Sequence, residues 1–207
     1  MQHIFIHGLG GLGQDSSSWD KTVSYLTKSE NISCPDLWAM LSGNECTYAN
    51  VYKSFADYCN DMSGKLNLCG LSLGGIIALN YAIEHPNRIQ SLVLIGAQYK
   101  MPKKLLKLQN IVFRLMPSRS FTKTGMKKSD IIKLTNSMMN LNFNMQLKDI
   151  SCPTLIVCGG KDHANKKASM ELQQGISNAE IALIADAGHE INIDEPEKLA
   201  TALNAFW

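Results

Sequence analysis

Gly70-Leu71-Ser72-Leu73-Gly74 stands between the apolar run Leu66-Asn67-Leu68-Cys69 and the helix-forming run Gly75-Ile76-Ile77-Ala78-Leu79. A G-x-S-x-G string alone is weak, because glycine and serine are common. Between a strand and a helix it reads as a nucleophile elbow, with the serine on a strained strand-to-helix turn. The glycines two residues to either side then remove side chains that would collide in that turn. The reading gains force only if an acid and a histidine follow at the ends of later strands.

Both follow. Thr154-Leu155-Ile156-Val157-Cys158 reads as a buried strand running into Gly159-Gly160-Lys161-Asp162, and residues 181–184 as a strand followed by Ala187-Gly188-His189. The other strand candidates are 3–7, 32–34, 65–69 and 89–95, several of them apolar throughout. Helical stretches near 17–28, 47–62, 73–85, 164–176 and 195–206 separate them. Pro86 closes the third, and Pro196 sits near the first turn of the last, where proline is tolerated. A β-α-β-α rhythm with buried strands predicts an α/β fold, a mostly parallel central sheet with helices on both faces. Ser72, Asp162 and His189 then share the carboxyl-terminal edge of the sheet, where open parallel sheets bind ligands.

The chemistry needs all three residue types. A serine hydroxyl is a poor nucleophile until an imidazole accepts its proton, and a carboxylate orients that imidazole and stabilises its charged form. The chain order Ser, Asp, His is the hydrolase order. A further element is His7-Gly8-Leu9-Gly10 after the first strand, where a backbone N–H could join that of Leu73 in an oxyanion hole. Such donors each contribute about 3 kcal/mol to the transition state.

Several motifs, in order, make the chain resemble the α/β-hydrolase superfamily over nearly its whole length. They are His7-Gly8, Trp19, Pro35-Asp36, the stretch from Gly70 to Gly75, His85-Pro86-Asn87-Arg88, Leu92-Val93-Leu94-Ile95-Gly96, Gly159-Gly160-Lys161-Asp162, and Gly188-His189 with Glu195-Pro196-Glu197. The resemblance implies a compact serine hydrolase of the small esterase or lipase kind. In it Ser72 is the nucleophile, His189 the base, Asp162 the acid, and the Leu9 and Leu73 amides the oxyanion donors. Three departures stand out. The chain starts almost on the strand bearing His7-Gly8, so the family's two leading strands are expected to be missing. The inserted cap is small, which suggests a shallow pocket. The loop Gly8-Leu9-Gly10-Gly11-Leu12-Gly13 repeats Gly-Leu-Gly, which leaves the first oxyanion donor open between Leu9 and a residue nearer Leu12.

That cap is expected at 99–148, inside one domain spanning 1–207. Residues 101–116 and 129–141 read as two helices joined by the basic linker Ser118-Arg119-Ser120-Phe121-Thr122-Lys123-Thr124-Gly125. In the first, Leu105, Leu108, Val112 and Leu115 fall on one face and Lys103, Lys107 and Arg114 on another. Net charge is +2, but residues 100–128 hold nine Lys or Arg and no Asp or Glu, leaving eleven basic residues against eighteen acidic ones elsewhere. The cationic segment reads either as a solvated face or as an attractor of anionic substrates, carrier proteins or lipid headgroups. Six of the ten methionines fall between 101 and 145, which suits an adaptable acyl pocket and equally a gap-filled core.

Bulk composition narrows the rest. A chain of 207 residues, 45% hydrophobic and only 18% charged, suits a globular domain with a sizeable core rather than a disordered one. No run reaches the roughly 18 apolar residues of a membrane span, so no stable membrane insertion is expected. Met1-Gln2-His3-Ile4-Phe5-Ile6 is too short and uncharged for a signal peptide. The six cysteines, at 34, 46, 59, 69, 152 and 158, form no C-x-x-C pair and read as reduced thiols in a cytoplasmic protein.

The expected partner is a small-molecule ester or acyl substrate, with no nucleic acid, no metal and no cofactor. The same residues admit other readings. Gly8 to Gly13 also spells G-x-G-x-x-G, with Asp36 ending the next strand, which is a nicotinamide dinucleotide fingerprint. It leaves Ser72, Asp162 and His189 without a role. A phosphate loop fails because Gln14-Asp15 stands where Lys-Ser/Thr is needed. Acyl transfer, lyase chemistry or slow-turnover ligand binding could use the same residues. Among the other histidines, His163 adjoins Asp162 and is expected to point away, His85 ends a helix, His3 lies in the first strand, and His7 is expected to brace the oxyanion loop.

Overall fold

The computed structural model describes residues 1–9, 14–27, 30–118, 121 and 126–207. In chain order its elements are β1 (Gln2–Ile6), α1 (Asp20–Ser24), β2 (Ile32–Ser33), α2 (Leu37–Met40), α3 (Tyr48–Asn60), β3 (Leu66–Leu71), α4 (Leu73–Glu84) and β4 (Ile89–Ile95). There follow α5 (Lys103–Leu115), α6 (Lys128–Met138), β5 (Thr154–Gly159), α7 (Lys166–Gly175), β6 (Ala179–Ile184), α8 (Ile191–Asp194) and α9 (Pro196–Phe206). Among the described residues the strands form one six-stranded sheet in the order β2-β1-β3-β4-β5-β6, and every pairing is parallel.

Alternation along the central strands splits the core in two. Ile4, Ile6, Leu68, Leu92, Leu94 and Ile156 face a cluster that includes Phe55 of α3, Ile77 and Tyr81 of α4, and Leu172 of α7. Phe5, Cys69, Leu71, Val93, Ile95, Leu155 and Val157 face the other way, onto Trp19, Ile191 of α8 and Leu199 and Leu203 of α9. Burial of both faces is what makes β3, β4 and β5 read as continuous apolar runs.

All six expected strands are present; β4 has the expected bounds and the other five differ at one or both ends. β3 runs on to Leu71, directly into Ser72, and β6 begins at Ala179. The expected helix at 17–28 is replaced by a 3₁₀ turn, Ser16–Trp19, and the short α1, which ends at Ser24. Two short helices, α2 and α8, had no sequence signal long enough to register. Asp36 accepts from the N–H groups of Trp38 and Ala39 and so caps α2, which occupies the carboxylate that the dinucleotide reading needs for a ribose. Gly10, Gly11, Leu12 and Gly13 of that fingerprint, and Arg119, Ser120 and 122–125 of the basic linker, lie outside the described residues.

Strand order locates the binding edge. The chain leaves β1 for β2 on one side, then returns to β3 on β1's other side and continues outward to β6. Connections that diverge this way leave a crevice at the carboxyl ends of the strands. The register puts Leu71, Ile95 and Val157 at one level, so the loops after β3, β4 and β5 open together.

Candidate active site

Ser72 has φ 53° and ψ −112°, a left-handed backbone that a serine adopts only under constraint. Its N–H donates to the Ile95 carbonyl at 2.8 Å, tying the turn to β4. Close packing explains the flanking glycines. A Cβ on Gly70 would lie 2.3 Å from the Gly74 carbonyl oxygen, and one on Gly74 would lie 2.1 Å from that of Ile6. Only glycine lets β3 turn into α4 this sharply.

The Asp162 carboxylate sits in the turn after β5, 6% exposed, and its Oδ2 accepts from Nδ1 of His189 at 2.8 Å. A carboxylate acceptor places the proton on Nδ1, which leaves Nε2 as the basic nitrogen. Asn165, unremarked in the sequence, also faces this pair. Its Nδ2 lies 2.9 Å from both Asp162 oxygens and 3.1 Å from Nδ1 of His189, and its Oδ1 accepts from Nε2 of Gln98 at 2.7 Å. Burial, the largest influence on Asp162, works to raise its pKa. Hydrogen bonds from His189 and then Asn165 outweigh it and hold the carboxyl below its usual 3.8.

Gly96, at φ +53°, packs against both members of the pair. A Cβ there would lie 3.0 Å from Cε1 and Nδ1 of His189 and 3.3 Å from Asp162 Oδ2. In the sequence Gly96 stands only at the end of the motif Leu92-Val93-Leu94-Ile95-Gly96. The spacing Asp162-x-x-Asn165 before a helix was the available signal for the asparagine.

A cavity of about 210 Å³ joins these groups; Ser72, Leu73, Leu9, Gly96, Asn165 and His189 all line it. The Ser72 hydroxyl and His189 share this cavity without a hydrogen bond between them among the described residues, a looseness common before a ligand tightens a site. Leu9 and the amino end of α4, where Leu73 presents its N–H, flank Ser72. The rest of the wall is apolar or amide apart from Thr135, and includes Ile76, Met101, Leu105, Leu106, Gln109 and Met138. No Lys or Arg lines it among the described residues.

The remaining histidines have other tasks. His7 Nδ1 lies 2.8 Å from the Gly8 carbonyl and Nε2 accepts from the Leu37 N–H at 3.0 Å, so it is neutral and braces the loop that carries Leu9. Burial pushes its pKa down, against smaller raising effects from Gly8, Asp36 and Asp15. His163 is exposed, and His85 caps α4 against the Tyr81 ring. A larger depression of about 620 Å³ lies at the opposite sheet edge. Within it Trp207 Nε1 donates to Ser91 Oγ, and Ser91 Oγ donates to Asn67 Oδ1. The six cysteines are free thiols.

Residues 4–123, more than half of the chain, match the sequence profile of the alpha/beta hydrolase fold family. The chain belongs to the alpha/beta hydrolase family. Its relatives in the family include a Bacillus subtilis protein provisionally named 2-succinyl-6-hydroxy-2,4-cyclohexadiene-1-carboxylate synthase, 21% identical over 98% of this chain and 89% of that one. Another is a pimeloyl-[acyl-carrier protein] methyl ester esterase of Nitrosomonas europaea, 20% identical over 96% of this chain and 93% of its own. Among solved alpha/beta hydrolases, the MGS-M2 enzyme from a Medee basin deep-sea metagenome library superposes with TM-score 0.81 at 19% identity, over 99% of this chain and 88% of that one. At these identities the likeness to the solved structure is one of fold.

Proposed function

We propose that the protein is a serine hydrolase that cleaves a carboxylic ester or thioester through an acyl-enzyme. Ser72 attacks the carbonyl while Nε2 of His189 takes the hydroxyl proton, and Asp162 stabilises the imidazolium. The N–H groups of Leu9 and Leu73 receive the developing oxyanion. His189 then returns the proton to the leaving group, and a water activated by the same nitrogen releases the acid. The segment with α5 and α6 serves as the cap over the acyl chain, with Met101 and Met138 as adaptable wall.

The observation that carries this reading is the strained Ser72 facing the same cavity as a histidine whose other nitrogen is bonded to a buried carboxylate. The esterase-named relative supports it. The synthase-named relative favours a lyase reading instead, for which a basic residue soon after the elbow is expected. Here Gly75 is followed by Ile76 and Ile77, and Ile76 lines the cavity.

The test is turnover of p-nitrophenyl acetate and butyrate by wild type and Ser72→Ala. Wild type should release nitrophenol repeatedly and the variant should not. Equal turnover by the variant would remove Ser72 from the chemistry. A single stoichiometric burst without further release would mark a trapping receptor instead of a hydrolase.

A further inference from the structure

The helix α5 is inside out. The residue it buries most deeply is Asn110, 3% exposed, whose Oδ1 accepts from Thr135 Oγ1 and whose Nδ2 donates to Asn136 Oδ1, both on α6. Leu106 and Phe113 lie on the same inner side, half-buried. Leu105, Leu108, Ile111, Val112 and Leu115 point outward, each between 47% and 81% exposed. The apolar face expected from periodicity therefore exists, but it faces solvent. Packing onto the body of the protein cannot have selected it, and a contiguous exposed aliphatic stripe marks an interaction surface.

Its surroundings identify the occupant. At roughly 3.6 residues per turn, Lys103, Lys107 and Arg114 run along one border of the stripe and Lys104 lies within it. None of Lys104, Lys107 and Arg114 forms an ion pair among the described residues. The opposite border is Leu105 and Gln109, which line the cavity that holds Ser72. Cations thus stand outside the cavity, and an apolar path leads from them to its wall. A second copy of this chain fits poorly, because pairing two such stripes brings like charges together with no carboxylate in residues 100–128 to offset them.

We infer that α5 docks on an anionic lipid surface, with its leucines among the acyl chains and its Lys and Arg at the headgroups. A helix with an aliphatic face bordered by basic residues lies in the plane of such an interface. Docking this way places the mouth of the cavity against the bilayer, where an acyl chain can enter past Leu105. The inference concerns binding and does not rest on the chemistry of Ser72.

Sedimentation of the full chain with vesicles tests it, using equal parts phosphatidylcholine and phosphatidylglycerol against phosphatidylcholine alone. One variant replaces Leu108, Ile111 and Leu115 by Ser, a second replaces Lys104, Lys107 and Arg114 by Gln. Leu105 is kept because it lines the cavity. All six positions are exposed, and unchanged circular dichroism and p-nitrophenyl acetate turnover confirm that each variant is folded. Wild type should partition onto the anionic vesicles, less so in high salt. The Gln variant should lose roughly a hundredfold in partitioning, at about fivefold per charge, and the Ser variant should lose binding as well. Binding that survives in either variant, or that ignores lipid charge, overturns the inference. So does a wild type that stays in the supernatant, whether it is then found as a dimer through the stripe or bound to an acidic acyl carrier protein.

Discussion

Replacing Asn165 by Ala probes how Asp162 is held. The amide nitrogen stands 2.9 Å from each carboxylate oxygen, and Asp162 is only 6% exposed, so little water can take its place. A hydrogen bond to a charged group contributes about 1.5–3 kcal/mol. If that stabilisation is needed while His189 is an imidazolium, kcat falls about ten- to a hundredfold, at roughly 1.4 kcal/mol per decade. The pH dependence separates this from simple loosening. Asp162 titrates below 3.8 in the folded protein, so it contributes stability above the unfolded pKa that is lost as pH falls through the folded one. Without Asn165 one of the hydrogen bonds that oppose burial is gone, so the folded pKa rises and the carboxylate protonates at a higher pH than in wild type. The ratio of wild-type to variant kcat should therefore widen as pH is lowered from neutral. Asn165→Asp, which exchanges the donor for a second carboxylate, should be worse than Ala. Stopped-flow or plate-reader kinetics with a p-nitrophenyl ester measure both. A variant within twofold of wild type at every pH would refute the role of the amide.

Other outcomes follow from the same contacts. Gly96→Ala places a Cβ 3.0 Å from the His189 ring on a residue with φ +53°. It should cost more than tenfold in kcat/KM, with circular dichroism preserved, and wild-type activity would show that His189 does not need that space. His7 titrates below 6.5 when folded, so the unfolded chain binds the proton first as pH falls. Its contribution is full above pH 6.5 and declines below it, by up to about 1.4 kcal/mol per pH unit. Urea midpoints measured on either side of that pH should fall more steeply for wild type than for His7→Gln, and parallel slopes would exclude His7 as the cause.

The elbow and the strand ends were legible because both are local. Glycines at 70 and 74 announce a close approach, Asp162 follows an apolar run that forms the buried strand β5, and His189 follows the shorter apolar run of the edge strand β6. Asn165, Gln98 and Gly96 were not legible, because they matter only where the loops after β4, β5 and β6 meet, and register decides that meeting. The orientation of α5 was hidden for a related reason. Periodicity shows that Leu105, Leu108, Val112 and Leu115 share a face, but the bonds from Asn110 to Thr135 and Asn136 turn that face outward. The short helices α2 and α8 are too brief for any periodic pattern, and the capping carboxylate of Asp36 was the one hint of the first.

Covalent capture at Ser72 is the most direct measurement. Wild type treated with a fluorophosphonate should gain the mass of one phosphonyl group, mapped by peptide mass spectrometry to the segment containing Ser72. Ser72→Ala should gain none, and His189→Ala should label far more slowly. Equal labelling of Ser72→Ala, or no labelling of folded wild type, would contradict the assignment of Ser72 as an activated nucleophile.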